Sequence, residues 1–138
     1  MRIELVDWER AREAASRIRF VVFVEEQRVP LAMELDAFDP QCLHALAYAP
    51  GGEAVATGRL LPDAHIGRMA VLKAWRGQGV GGAILERLVA AARARGEREV
   101  ALSAQTHALA FYRRHGFSAE GETYLDAGIP HQTMRRPL

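Results

Sequence analysis

The strongest chemical signal in the chain is a glycine-dense run, Arg76-Gly77-Gln78-Gly79-Val80-Gly81-Gly82, which follows the apolar stretch 65–72 and opens a helix-periodic one. Glycines let backbone N–H groups approach a ligand closely and reach φ values other residues avoid. The first turn of a helix leaves N–H donors unpaired at the positive end of its dipole. Together these make a cradle for a phosphate or pyrophosphate, and Arg76 adds a charge at the rim. A Walker loop is excluded, because it needs G-K-[ST] where this chain has Gly81-Gly82-Ala83. The dinucleotide fingerprint GxGxxG is met by Gly77, Gly79 and Gly82, and Glu99 lies roughly 20 residues on. Glu99 would start the following strand rather than end it, however, and the chain lacks the strand–helix alternation of a doubly wound sheet. A turn that serves only helix–strand packing also fits the glycines. The five histidines show no HxxxH spacing and Cys42-x-His44 stands alone, so no metal site is expected.

Charge and composition narrow the ligand. Eighteen basic residues face seventeen acidic ones, a net of +1, which argues against a nucleic-acid binder working by bulk electrostatics. Lys73, Arg76, Arg87, Arg93 and Arg95 nevertheless crowd residues 73–95 with only Glu86 against them. Such a cluster suits a small anion, or is a solvated helix face. With 49% hydrophobic and 25% charged residues in 138, the composition is that of one globular domain over residues 1–138. No apolar run reaches the roughly 18 residues of a membrane span. The charged N-terminus has no signal-peptide core. The lone Cys42 fits a reducing cytoplasm and reads as a small buried hydrophobe.

The elements that must position the glycine turn can be read from periodicity. Asp7 can cap a helix whose apolar face is Trp8, Ala11, Ala15, Ile18 and Val22, ending near residues 24–27 before Pro30. Residues 34–40 (Glu34, Leu35, Asp36, Ala37, Phe38, Asp39, Pro40) read as a loop or short helix. Strands are expected at 43–49 and 54–61 around Pro50-Gly51-Gly52, and at 65–72, forming an antiparallel meander. A helix over 79–95, capped by Gly96, precedes a strand at 99–104. A helix over 106–115 then stops at Gly116, and weaker strands follow at 117–125 and 131–136. The order predicts a mixed α/β layered fold, with the glycine turn inside a parallel strand–helix–strand crossover.

Residues Arg76, Gly79 and Gly81 match the R/Q-x-x-G-x-G/A motif of the GNAT N-acetyltransferases, and Ala110-Phe111-Tyr112-Arg113-Arg114-His115-Gly116-Phe117 resembles that family's F-Y-x-x-x-G-F signature. The element order also resembles the family core over nearly the whole chain. Stretches 22–30, 104–108 and 128–131 are similar to the ElaA/YjcF-like bacterial subgroup. The resemblance implies a mostly antiparallel sheet splayed in the middle. It also implies direct transfer from acetyl-CoA to a small-molecule or protein amine, without an acyl-cysteine. A homodimer is common in such folds, though no heptad or apolar run here specifies one.

Acyl transfer from a thioester to an amine has three needs, and the resemblance assigns residues to them. Met69, Ala70 and Val71 would contact pantetheine and the carbonyl, whose developing charge backbone N–H groups can stabilise. The phosphates would lie on Arg76, Gly77, Gln78, Gly79, Val80, Gly81 and Gly82. Tyr112 would protonate the leaving thiolate. As adjacent helix residues point about 100° apart, Phe111 and Tyr112 are not expected to share one pocket. Gln105 stands where relatives carry Asn and would bond pantetheine amides. The base that takes the amine proton stays open among Glu26, Glu34, Asp36, Asp39, His44, His107 and His131, with Glu26 and His131 first. The alternative to an enzyme is an acyl-CoA-binding sensor.

Overall fold

The computed structural model describes residues 1–34 and 36–138. Its elements run β1 (Arg2–Val6), α1 (Trp8–Arg19), a π-helical turn (Phe20–Glu26), α2 (Leu31–Glu34), β2 (Leu43–Tyr48), β3 (Ala54–Leu60), β4 (Ile66–Val71), α3 (Val80–Ala94), β5 (Glu99–Gln105), α4 (Leu109–Arg114), β6 (Ser118–Asp126) and β7 (Ile129–Pro137). Short 3-10 turns cover Asp39–Gln41, Lys73–Trp75 and Thr106–Ala108. Leu35, part of the segment expected as a loop or short helix, lies outside the described residues.

Four strands form one antiparallel sheet in the order β1-β2-β3-β4, and three form a second in the order β5-β7-β6. The meander expected from the sequence is present, but β1 extends it, pairing Ile3 with Ala47 and Leu5 with Ala45. Alternation of Ile3, Glu4 and Leu5 was the available signal, overshadowed by the helix that starts at Trp8. Asp7 caps that helix as anticipated, accepting from the Arg10 amide at 3.1 Å. The predicted helix continues to Glu26, but its last seven residues widen to π geometry, with Gln27 N–H donating to Val22 C=O at 3.1 Å. Such turns recur at functional sites.

The layers follow from alternation along the strands. Ala45, Ala47, Ala56 and Leu60 meet Ile84, Leu85, Leu88 and Val89 of α3 in the main core, which continues to Val100, Leu102, Phe117 and Met134. Opposite faces carry Leu46 onto Ala11 and Ala15, and Ala54 and Ala70 onto Ile18 and Val22 of the first helix. Gly58 is required beneath α3, because a Cβ there would lie 2.5 Å from Met69 Sδ and 3.0 Å from Ile84. Opposite it β4 bulges: Thr57 pairs with Ala70 and Arg59 with Gly67, so one residue on β3 faces two, Arg68 and Met69.

β4 and β5 run parallel, as the crossover predicts, but they meet at a single bridge, His65 with Ala101, where Ala101 N–H reaches Ala64 C=O at 3.2 Å. Beyond that bridge, Ile66–Val71 and Leu102–Gln105 belong to separate sheets. The central gap is the feature that builds the site.

Candidate active site

A cavity of about 1100 Å³ opens in the gap, lined on one side by β4 and on the other by Leu102, Ser103 and Gln105 of β5. Ladder alternation decides which β4 amides face it. Leu72 N–H donates to Val55 C=O at 2.9 Å, so the Leu72 and Ala70 amides point to β3 and the Val71 amide points to the open edge. A backbone donor there lacks a strand partner and suits a carbonyl oxygen that gains charge. Of the three residues assigned to pantetheine and carbonyl contacts, Met69, Ala70 and Val71 all line the cavity, with Ala70's amide committed to the ladder.

The glycine turn closes the same cavity. Gly77 and Gly79 have φ of +77° and +82°, the left-handed region that glycine adopts freely. The first helical hydrogen bond at this end of α3 is Ala83 N–H to Gly79 C=O, at 3.0 Å, which leaves the preceding amides without helical partners. Gly77, Gly79, Val80, Gly81 and Gly82 line the cavity. Gln78 is exposed and donates to Ala74 C=O at 3.2 Å. Gly82 has a second duty, since a Cβ there would stand 2.9 Å from His115 Nε2. His115 Nδ1 meets Glu86 at 2.7 Å, and Glu86 also accepts from Arg136 at 3.1 Å, which docks α4 on α3.

Arg76 is a brace. Its Nε donates to Val71 C=O at 2.8 Å and its Nη2 to both Glu26 oxygens at 3.0 and 2.8 Å. The pair joins the strand end to the π-helical turn. It also places Glu26 outside the residues that line the cavity. The basic crowding at 73–95 does not converge on the site: of its members only Arg76 lines the cavity. Arg87 donates to Ile3 C=O and Arg95 to Leu61 C=O, so they tie elements together across the surface. The cations that do line it, Arg59, Arg68 and Arg114, come from elsewhere in the chain.

Tyr112 lines the cavity, and so does Phe111, contrary to the expectation from helix geometry. The cavity wraps the short α4, so residues 100° apart both reach it, with their rings T-shaped at 5.0 Å. Burial raises the Tyr112 phenol to about 12, with no hydrogen bond contributing. His131 is 8% exposed and lines the cavity opposite Gln105 in the β5–β7 register. Its Nδ1 sits 2.7 Å from Ile129 C=O. A carbonyl only accepts, so Nδ1 carries the proton and Nε2 of the neutral ring is a free acceptor. Tyr124 stacks on the imidazole at 6.2 Å, and its hydroxyl bonds that of Ser103.

Gln105 lines the cavity within a polar set of which sequence reading named Gln105 and His107 but not Gln27. Its Nε2 donates to Gln27 Oε1 at 2.8 Å, while its Oε1 receives His107 Nε2 at 2.6 Å. Gln27 owes its place to the π-helical turn, which no local pattern announces. Three further candidate bases are tied up in a buried network. Arg19 bonds Glu34 at 2.5 Å and Asp39 at 2.9 and 3.0 Å, and Arg59 bonds Asp39 at 2.8 Å and Asp36 at 2.6 Å. The fourth, His44, donates to Asp39 C=O at 2.9 Å, and burial lowers its pKa.

Residues 12–138 match the acetyltransferase (GNAT) domain family. The chain belongs to that family. It is 40% identical over 123 residues to the uncharacterized N-acetyltransferase YjcF of Bacillus subtilis, covering 86% of this chain and 87% of the relative. Its fold is similar to the crystal structure of an acyl-CoA N-acyltransferase from Pseudomonas aeruginosa (TM-score 0.87, 35% identity, 98% of each chain). It is also similar to that of Escherichia coli ElaA (TM-score 0.88, 29% identity, 99% of each chain). The GNAT chain is thus an acyltransferase of the ElaA/YjcF-like type that uses an acyl-CoA cosubstrate. None of its helices is long and apolar enough to cross a membrane among the described residues.

Proposed function

We propose that this chain works as one cytoplasmic acetyltransferase domain, moving acetyl from acetyl-CoA directly to an amine bound in the same cavity. The observation that carries the reading is the shared cavity: the cradle of Gly77 and residues 79–82, the open Val71 amide, Tyr112 and His131 all line it or open onto it. The cradle fits a pyrophosphate, because two left-handed glycines and an unsatisfied helix start turn donors outward. Acetyl-CoA supplies the activated thioester. The Val71 amide meets the carbonyl oxygen, and the Gln27–Gln105–His107 set meets the pantetheine amides.

His131 Nε2 takes the proton that the amine sheds, with its tautomer held by Ile129. Glu26 is the weaker candidate, since Arg76 occupies its carboxylate. Tyr112 donates a hydrogen bond to the departing sulfur. The test has two arms. Calorimetry should show acetyl-CoA binding, and CoA release should appear when amines are added. His131→Gln should cut that release by about 10²-fold or more at pH 7, in line with loss of a general base, while acetyl-CoA still binds. Binding without turnover across the panel would make the chain a sensor, and no binding heat would overturn the reading.

A further inference from the structure

Arg68 occupies the β4 bulge with a φ of +49°, one of the few non-glycine residues in the left-handed region. Holding a non-glycine there costs about 1–3 kcal/mol, and such outliers persist where the surroundings over-determine them. The side chain is poorly provided for. A guanidinium has five N–H donors, and among the described residues Arg68 makes one hydrogen bond, to Asp36 Oδ2 at 3.2 Å. That oxygen already takes the 2.6 Å bond from Arg59. Arg68 Nε is buried with no partner among the described residues, as is Arg59 Nε. Arg19, by contrast, uses all three of its nitrogens.

Both Arg68 and Arg59 line the cavity, Arg68 on β4, the strand that leads into the carbonyl-binding residues, and Arg59 on the neighbouring β3. Burial and the charges of Arg59 and Arg19 hold the Arg68 pKa below the usual arginine value, ahead of the opposing pull of Asp36 and Glu34. Nε itself is closed to solvent, so an anion in the cavity would meet the Nη groups, whose donors Asp36 only partly uses, and would relieve that repulsion. The planar fork suits a carboxylate bidentately.

We propose that the acceptor is an amine that also carries a carboxylate, and that Arg68 binds the carboxylate through the donors Asp36 leaves unused. This rests on the acyl-transfer reading of the cavity and names its substrate class. Transfer then forms the amide C–N bond, breaks the C–S bond, and passes the amine proton to the protein and a proton or hydrogen bond to sulfur. The carboxylate itself is unchanged.

The experiment pairs acceptors differing only in that group: amino acids against their amides, and 3-aminopropanoate to 6-aminohexanoate against matching alkylamines, with phosphoethanolamine added. CoA release and calorimetric binding are measured on wild type, Arg68→Gly and Arg68→Lys. Glycine adopts φ +49° freely, so the backbone keeps its course; lysine keeps the charge without the fork. At least one carboxylated acceptor should be preferred to its twin by about 10-fold or more, the scale of charged hydrogen bonds. Arg68→Gly should bring that ratio near one, and Arg68→Lys should fall between. Equal use of the twins, a ratio untouched by Arg68→Gly, or a preference for phosphoethanolamine overturns the proposal. If acetyl-CoA fails to bind, the donor reading falls on its own, and carboxylate-selective binding to the free protein still decides this one.

Discussion

Replacing Tyr112 by Phe isolates one atom. The ring keeps its T-shaped contacts with Phe111 at 5.0 Å and Phe117 at 6.0 Å, so packing survives and only the hydroxyl goes. A phenol held near 12 facing a thiolate with a pKa of about 8.5 would lose about 5 kcal/mol on full proton transfer. In the proposed mechanism the role left to Tyr112 is therefore to hydrogen-bond the sulfur as charge develops. Loss of a hydrogen bond to a charged group is worth about 1.5–3 kcal/mol, or about 10- to 150-fold in kcat. Following CoA release from pH 6 to 10 should show that drop with no change in the shape of the pH profile, because this phenol does not ionise in that range. A kcat within threefold of wild type, or an alkaline limb that vanishes in the variant, would refute the reasoning. Stability offers a second readout. The folded pKa is raised above the ordinary 10, so the protonated form's stability is whole below pH 10. It drains away as pH climbs toward 12, by about 3 kcal/mol. Tyr112→Phe should lack this loss in alkaline urea melts.

Two further outcomes test the framework. Gly82→Ala should destabilise by about 1–3 kcal/mol in urea unfolding as its Cβ displaces His115 from Glu86. Gly81→Ala, whose Cβ meets nothing nearer than 3.5 Å, should not. For Asp39, burial pushes the carboxyl up, but hydrogen bonds and charge from Arg19 and Arg59 outweigh it and hold the pKa below the usual range. Its stabilisation is present above the unfolded value of about 3.9 and lost as pH falls through the folded one. Asp39→Asn should therefore cost about 1.5–3 kcal/mol at neutral pH, the scale of charged hydrogen bonds, because Arg19 and Arg59 lose the carboxylate they share while keeping Glu34 and Asp36. The deficit should shrink in melts at pH 3; an equal deficit at both pH values would count against this account.

The local signals in the chain determined the parts whose causes are local. Apolar periodicity marked α1 and α3, Asp7 marked a cap, and the glycines at 77–82 marked a backbone cradle ahead of a helix, because each depends on residues within a turn or two. Strand β1 went unread because five residues before a strong helix carry little period. Tertiary structure alone decided the rest. Arg76 looked like a ligand charge in sequence, but Glu26, fifty positions away, claims it. Arg68 falls within a strand by its sequence, and only the bulge and an already shared Asp36 set it at the cavity wall with few of its donors used. The gap between β4 and β5 comes from strand pairing across the whole fold, and pairing between distant segments is not written in the spacing of either one.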